Sequence, residues 1–204
     1  MPSSDAKPRG LRIVGGLHRG RRLVAPPGDL VRPTSDRARE ALFNILSHGN
    51  FAASGLPFAE RPVLDAFAGT GAFGLEALSR GASAAAFIES DREALAALRR
   101  NVATLGEADR AQIIAGDATR PTRAVFACAL AFLDPPYRSG LAAPALAALA
   151  AAGWLLPDAL VVVEVAARED FPLAPDFSLL DQRVYGAARL VFLRRERAPT
   201  GDQR

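Results

Sequence analysis

The sequence predicts an α/β protein: a mostly parallel sheet covered by helices, closed at its C-terminal edge by an antiparallel hairpin. Three observations carry this. From Pro62 onward, short β-prone runs alternate with helical patterns, the signature of parallel strands joined by covering helices. The first of those runs ends in a glycine-rich turn, "FAGTGAFG". The last two runs flank Gly186 without room for a helix, so they must pair antiparallel. With 204 residues, 50% of them apolar, the chain can bury a core of its own.

Taken in order, residues 1–10 are polar and proline-bearing and are expected to form a disordered tail. In "LRIVGGLHRGRRLVAPP", two β-prone runs at 11–14 and 21–25 surround a glycine-rich connection, which reads as a hairpin. "RPTSDRAREALFNIL" then offers Thr34 or Ser35 as a helix cap. Ala38, Ala41, Leu42, Ile45 and Leu46 recur behind it at helical spacing, with Arg37 and Arg39 off that stripe. The segment "HGNFAASGLPFAERP" breaks the pattern. It divides a basic N-terminal hairpin and helix, residues 11–58, from a body at 59–198, with a short tail at 199–204.

In the body, strand "VLDAF" leads to a helix over 72–79, strand "AAAFIES" to a helix over 92–105, and strands "AQIIAG" and "ACALAFLD" to a helix over 141–152. "ALVVVEVA" is apolar enough to be a central strand.

Composition narrows the chemistry. The single cysteine, Cys128, excludes an intramolecular disulfide, and two histidines give no Cys/His cluster at metal-ligand spacing, so no metal is expected. No apolar run reaches the ~18 residues of a membrane span, and the first ten residues lack the apolar centre of a signal peptide. A cytoplasmic protein is expected. Net charge is +3, but residues 1–40 hold nine Lys/Arg against four Asp/Glu. A basic arm on a near-neutral body is an electrostatic footprint for phosphate-rich partners, unless it is merely a solvated tail.

Gly69, Gly71 and Gly74 form a literal G-x-G-x-x-G between a strand and a helix, and Glu89 follows Gly69 by twenty residues. The spacing alone fits a dinucleotide. Asp65, however, ends the strand just before the turn, where its charge disfavours a pyrophosphate and favours an ammonium. S-adenosylmethionine carries an ammonium, a ribose whose hydroxyls suit Glu89, and an adenine that could sit near "GDA", Gly116 to Ala118. Asp117 there can accept from an adenine amine. Each acid alone could equally be a turn former or a solvated cap; three at successive strand ends point to one ligand.

The next strand ends in "AFLDPPY". Two prolines stiffen the exit and have no N–H to donate. The Asp134 carboxylate and the Pro135 carbonyl can therefore both accept from one NH2 group, beside the flat ring of Tyr137. Two acceptors on an aryl amine favour a pyramidal nitrogen with a freed lone pair, and a carboxylate stabilises positive charge as it develops there.

With these motifs the chain resembles Class I S-adenosylmethionine-dependent methyltransferases with a Rossmann-like sheet, "DAFAGTG" matching the cofactor motif and "DPPY" the amine-methylating motif. "RIVGGLHRGRRL", "RPTSDRAREALFNIL", "GLEALSRGA" and "VYGAARL" resemble the RsmD family of bacterial 16S ribosomal RNA guanine-N2 methyltransferases, from about Leu11 to Leu193. The resemblance implies methylation of one guanine amine in small-subunit RNA, naked or in an assembling particle, with no metal and no obligate protein partner. By position, Asp134 and Pro135 bind the amine and Tyr137 stacks on guanine. Asp65, Phe67, Gly69, Gly71, Glu89, Asp117 and Ala118 form the cofactor pocket. Arg19, Arg21, Arg22, Arg32, Arg37 and Arg39 are candidates for phosphate contact. The alternatives are an N6-adenine methyltransferase, a nicotinamide oxidoreductase using the glycine spacing, and a non-catalytic RNA-binding protein using the arm alone.

Overall fold

A computed structural model of the chain describes residues 11–26, 34–48, 51 and 57–197. The expected tails and Arg32 lie outside them. The order of elements is helix α1 (Thr34–Ser47), β1 (Pro62–Ala66), α2 (Ala72–Ser79), β2 (Ala84–Glu89), α3 (Arg92–Leu105), β3 (Ala111–Ala115), β4 (Cys128–Leu133), α4 (Ala142–Ala151), β5 (Leu155–Ala166), β6 (Phe177–Tyr185) and β7 (Ala188–Arg195).

One seven-stranded sheet runs β3-β2-β1-β4-β5-β7-β6. The first five strands in that order pair parallel, while β7 joins β5 and β6 antiparallel. The antiparallel edge is the one expected from the missing helix around Gly186. From β1 the chain builds outward through β2 to β3, then returns past β1 to start β4. The direction of winding thus reverses between β1 and β4, the place where open α/β sheets leave a crevice at the carboxyl ends of their strands.

Alternation within the central strands feeds two cores. Val63, Phe132, Leu160 and Val162 face α1, α2, α3 and the hairpin; Leu64, Ala131, Leu133, Val161 and Val163 face α4 and Trp154. Helix α3 has its expected length because both ends are signalled locally. Asp91 caps it by accepting from the Ala94 N–H at 2.8 Å, and Gly106 closes it at φ 74°. β5 starts at Leu155, earlier than its apolar run, with a register shift before Leu160 and Asp158 at φ 63°.

Two parts of the N-terminal region differ from expectation. The hairpin holds one antiparallel bridge, Arg12 with Arg22, flanked by Ile13 N–H to Arg21 O at 2.9 Å and Leu23 N–H to Leu11 O at 2.8 Å. Leu11, Ile13 and Leu23 are buried in the core of the body while Arg12 and Arg22 face out. In α1 the buried face is Arg39, Leu42, Phe43 and Leu46, so the helix is turned relative to the stripe of Ala38, Ala41, Leu42, Ile45 and Leu46. Phe43 is the cause: its ring packs on Phe58 and Phe132, with centroids 5.5 and 5.7 Å away.

Candidate functional site

The turn after β1 is shaped by its three glycines, each for a different reason. Gly69 has φ 54°, and a Cβ there would meet nothing within 4 Å, so its outer side is open. Gly71, at φ 80°, precedes α2, and a Cβ on it would lie 2.3 Å from the Leu98 Cδ1. On Gly74 a Cβ would lie 2.3 Å from the Phe87 Cε1, so this glycine lets α2 settle onto the sheet. Phe67, between β1 and the turn, holds φ 61° despite its side chain. A left-handed backbone at a bulky residue costs roughly 1–2 kcal/mol and directs the ring into the crevice.

Glu89, at the end of β2, is held by three backbone N–H groups. Its Oε2 accepts from Gly69 at 2.7 Å, and its Oε1 from Ser90 at 2.7 Å and Asp91 at 2.8 Å. A carboxylate offers about four acceptor positions. One therefore remains for a hydroxyl, on the oxygen beside the glycine turn. Asp117, after β3, accepts from both the N–H and the hydroxyl of Thr119 at 2.8 Å, which hold its carboxyl below the usual range.

The strand ends enclose a cleft of about 650 Å3 lined by Phe67, Glu89, Asp117, Asp134, Pro135 and Tyr137, together with Ser90, Asp91, Pro136 and Leu141. Glu89, Asp117 and the "DPPY" loop thus share one cavity, while Asp65, the third acid of the sequence reading, does not line it. Asp134 stands immediately after the last residue of β4, its N–H 3.4 Å from the Ala66 carbonyl of the neighbouring β1. The Tyr137 O–H donates to Glu164 of β5 at 2.5 Å, and the Arg138 N–H to the Glu169 carboxylate at 2.9 Å. Neither acid is singled out by the sequence reading, although Glu164 is the one charge inside the apolar run "VVVEVA".

Other nominated residues lie elsewhere. Asp65 is 1% exposed and sealed beneath the turn, its Oδ2 accepting from the Gly74 N–H at 2.9 Å. Burial, the largest effect, and the nearby Glu89 raise its carboxyl to about 7, against the lowering effect of the Gly74 hydrogen bond and Arg39. Its carboxylate does not open into the cleft to meet an ammonium directly. Ala118 is packed in the core on the α4 side.

Arg39, nominated for phosphate, is 1% exposed. It donates to the Arg12 carbonyl and to Asp36, and its Nε is 3.5 Å from the fully buried Glu76. A helical wheel places a residue by angle alone, and here α2 covers that angle with an acid. Arg19, Arg22 and Arg37 are exposed, and Arg21 is exposed while donating to the Thr104 carbonyl at 2.8 Å.

The hairpin tip docks on the far end of α2, with Leu17 N–H to Ser79 O at 2.7 Å and His18 N–H to Ser79 Oγ at 2.9 Å. An eight-residue helix, about 12 Å long, therefore separates the tip from the glycine turn. Among the described residues no group of His, Cys, Asp and Glu could hold a metal, and no helix is long and apolar enough to cross a membrane. Cys128 is buried in β4, and desolvation pushes its thiol to about 12, which leaves it inert.

Known proteins share this arrangement. The family profile described as Conserved hypothetical protein 95 matches residues 11–194. Ribosomal RNA small subunit methyltransferase D of Escherichia coli (strain K12) is 37% identical over 200 residues, covering 94% of this chain and 93% of the relative. The protein of the same name from Haemophilus influenzae is 34% identical over 181 residues, 86% of this chain and 89% of that one. A solved structure from Escherichia coli, described as "Putative methyltransferase yhhF", superposes with a TM-score of 0.77 at 38% identity, covering 91% of this chain and 98% of that one. With the class I methyltransferase sheet, the glycine turn and the "DPPY" cleft in place, the chain belongs to the Conserved hypothetical protein 95 family, the RsmD family.

Proposed function

We propose that this protein transfers a methyl group from S-adenosylmethionine to the exocyclic N2 amine of one guanine in 16S rRNA of the small ribosomal subunit, acting in the cytoplasm. The observation that carries the reading is the single cleft shared by Glu89, Asp117 and Phe67 with Asp134, Pro135 and Tyr137. Among the described residues its lining holds four carboxylates, Glu89, Asp91, Asp117 and Asp134, and no Lys or Arg. That charge suits a cationic ligand and repels a pyrophosphate, which disfavours a nicotinamide dinucleotide despite the glycine spacing.

The cleft residues fit the methyl donor. When bound, the donor supplies an electrophilic methyl on a sulfonium. Glu89 offers its remaining acceptor position to a ribose hydroxyl, Asp117 accepts from the base, and open space above Gly69 leaves room for the amino-acid end. Asp134 and the Pro135 carbonyl take the two N–H bonds of the target amine and aim its lone pair. Asp134 would also stabilise the positive charge that appears on nitrogen as the N–C bond forms and the donor's S–C bond breaks, S-adenosylhomocysteine being the leaving group and the surplus amine proton passing to solvent. Tyr137 holds the base by stacking, a contact worth ~1–3 kcal/mol against the cost of extruding it. The hairpin and α1 hold RNA through the exposed Arg19, Arg21, Arg22 and Arg37.

Tritiated-methyl transfer to small-subunit RNA lacking the modification, offered both naked and as particles, tests the reading. Incorporation recovered as N2-methylguanosine after nuclease digestion is expected. Label on adenine moves the acceptor, and none on either substrate at saturating donor overturns the proposal.

A further inference from the structure

We infer that Glu164 is a positioning residue for the reaction: its carboxylate holds the Tyr137 hydroxyl and so fixes the place in the cleft of the ring on which the target base stacks. The inference rests on the function proposed above and names a residue outside the cofactor and "DPPY" motifs. Four observations support it.

Glu164 is the only charged residue in the apolar stretch "ALVVVEVA", flanked by the buried Val163 and Val165. β5 is hydrogen-bonded to β4 with Val163 opposite Leu133, so Glu164 lies beside the position from which Asp134 leaves the sheet. Val162 belongs to the core on the α1 side, so Glu164, two residues further along β5, faces that side too. The phenol O–H donates to the Glu164 Oε1 at 2.5 Å.

The backbone beyond Tyr137 is fixed from the same direction. Arg138 holds φ 57°, and its N–H is held by the Glu169 carboxylate, which also accepts from Ala166 at the end of β5. Arg189 of β7 in turn holds the Glu169 carbonyl. The two prolines stiffen the loop where it leaves β4; they do not determine the direction in which the Tyr137 side chain extends. A hydrogen bond at the far end of the ring anchors the phenol oxygen and so fixes that direction. A polar group in an otherwise apolar strand costs stability, and what it achieves here is the orientation of a ring in the cleft.

The test uses the full chain with Glu164→Ala, Glu164→Gln, Tyr137→Phe and the double variant Glu164→Ala/Tyr137→Phe. Glutamine keeps an oxygen that accepts the phenol proton; alanine does not. Misplacing a reacting group by about 1 Å can lower a rate ~100-fold, so Glu164→Ala is expected to lower kcat by roughly 10- to 100-fold. Glu164→Gln stays within a few-fold of the parent, and S-adenosylhomocysteine affinity by calorimetry is unchanged in both.

The double variant is expected to be no slower than the slower single, because both changes cut the same bond. The chain has two tyrosines, so fluorine NMR of 3-fluorotyrosine-labelled protein gives two resonances. The Tyr137 signal should move in Glu164→Ala and that of Tyr185 should not. Unchanged kcat in Glu164→Ala, a glutamine variant as slow as alanine, or multiplying defects in the double variant overturns the inference. If the parent protein methylates no RNA, the function proposed above fails instead, and the fluorine spectra still decide whether Glu164 holds the ring.

Discussion

Asp65 and Asp134 end neighbouring strands as the same side chain in opposite surroundings. Asp134 lines the cleft, so on the function proposed above replacing it with alanine removes an acceptor from the target amine while leaving the glycine turn intact. Loss of one such preorganised group typically costs ~100- to 1000-fold in rate. Asp134→Ala is therefore expected to lose methyl transfer by at least that factor, with S-adenosylhomocysteine binding by calorimetry retained.

Asp65 titrates near 7 when folded, against about 4 in the unfolded chain. Its contribution to stability is full below pH 4, where both states hold the proton, and is lost as pH rises towards 7 because the unfolded chain releases it first. Asp65→Asn removes that dependence. Its stability relative to the parent should grow by on the order of 4 kcal/mol between pH 4 and 7 and then level off, measured by urea unfolding. These fates are only partly legible in sequence. "DPPY" announces itself through residue types whose chemistry is local. The burial of Asp65 and Arg39 depends on what the rest of the chain lays over them, and Glu164 becomes informative once β5 is known to lie beside β4.

At the level of elements, the sequence locates α2 and α3 to the residue, since the glycine turn, Asp91 and Gly106 mark their ends. It predicts the hairpin but overstates its strands. Only the alternation at Leu11, Ile13 and Leu23 is paid in buried surface, while the chain between them serves to reach α2. The attachment of α1 is the part that periodicity misjudges. Arg39 and Arg80 both face Glu76, with Arg80 Nε 2.6 Å from its carboxylate, and Glu76 also accepts from the Val14 N–H at 2.7 Å. Arg39→Ala leaves Glu76 still held by Arg80 and Val14 but strips the Arg12 carbonyl of its donor and opens a buried gap, so it should lower the free energy of unfolding by ~1–3 kcal/mol, whereas a surface arginine such as Arg37 should change it little.

For the molecule as a whole, the reversal of winding between β1 and β4 brings the glycine turn and the "DPPY" loop to one crevice although some sixty residues separate them in sequence. The basic arm follows a different direction. Its tip lies at the opposite end of α2 from the turn, so on the function proposed above its charges would act on RNA away from the reacting base. Arg19→Ala and Arg22→Ala should each reduce the slope of log affinity against log salt by about 0.7 to 0.9 while leaving kcat at saturating RNA unchanged, as read by filter binding and single-turnover transfer.

The two ends of this arrangement meet at Asn101, buried in α3. Its amide donates to the Val24 carbonyl at 2.9 Å and the Thr70 carbonyl at 3.0 Å, and its oxygen accepts from the Val24 N–H at 2.7 Å. A single side chain is thus riveted both to the departing leg of the arm and to the loop between Gly69 and Gly71. On the function proposed above, one amide thus fastens the leg of a polyanion-holding arm to the loop that seats a small cation.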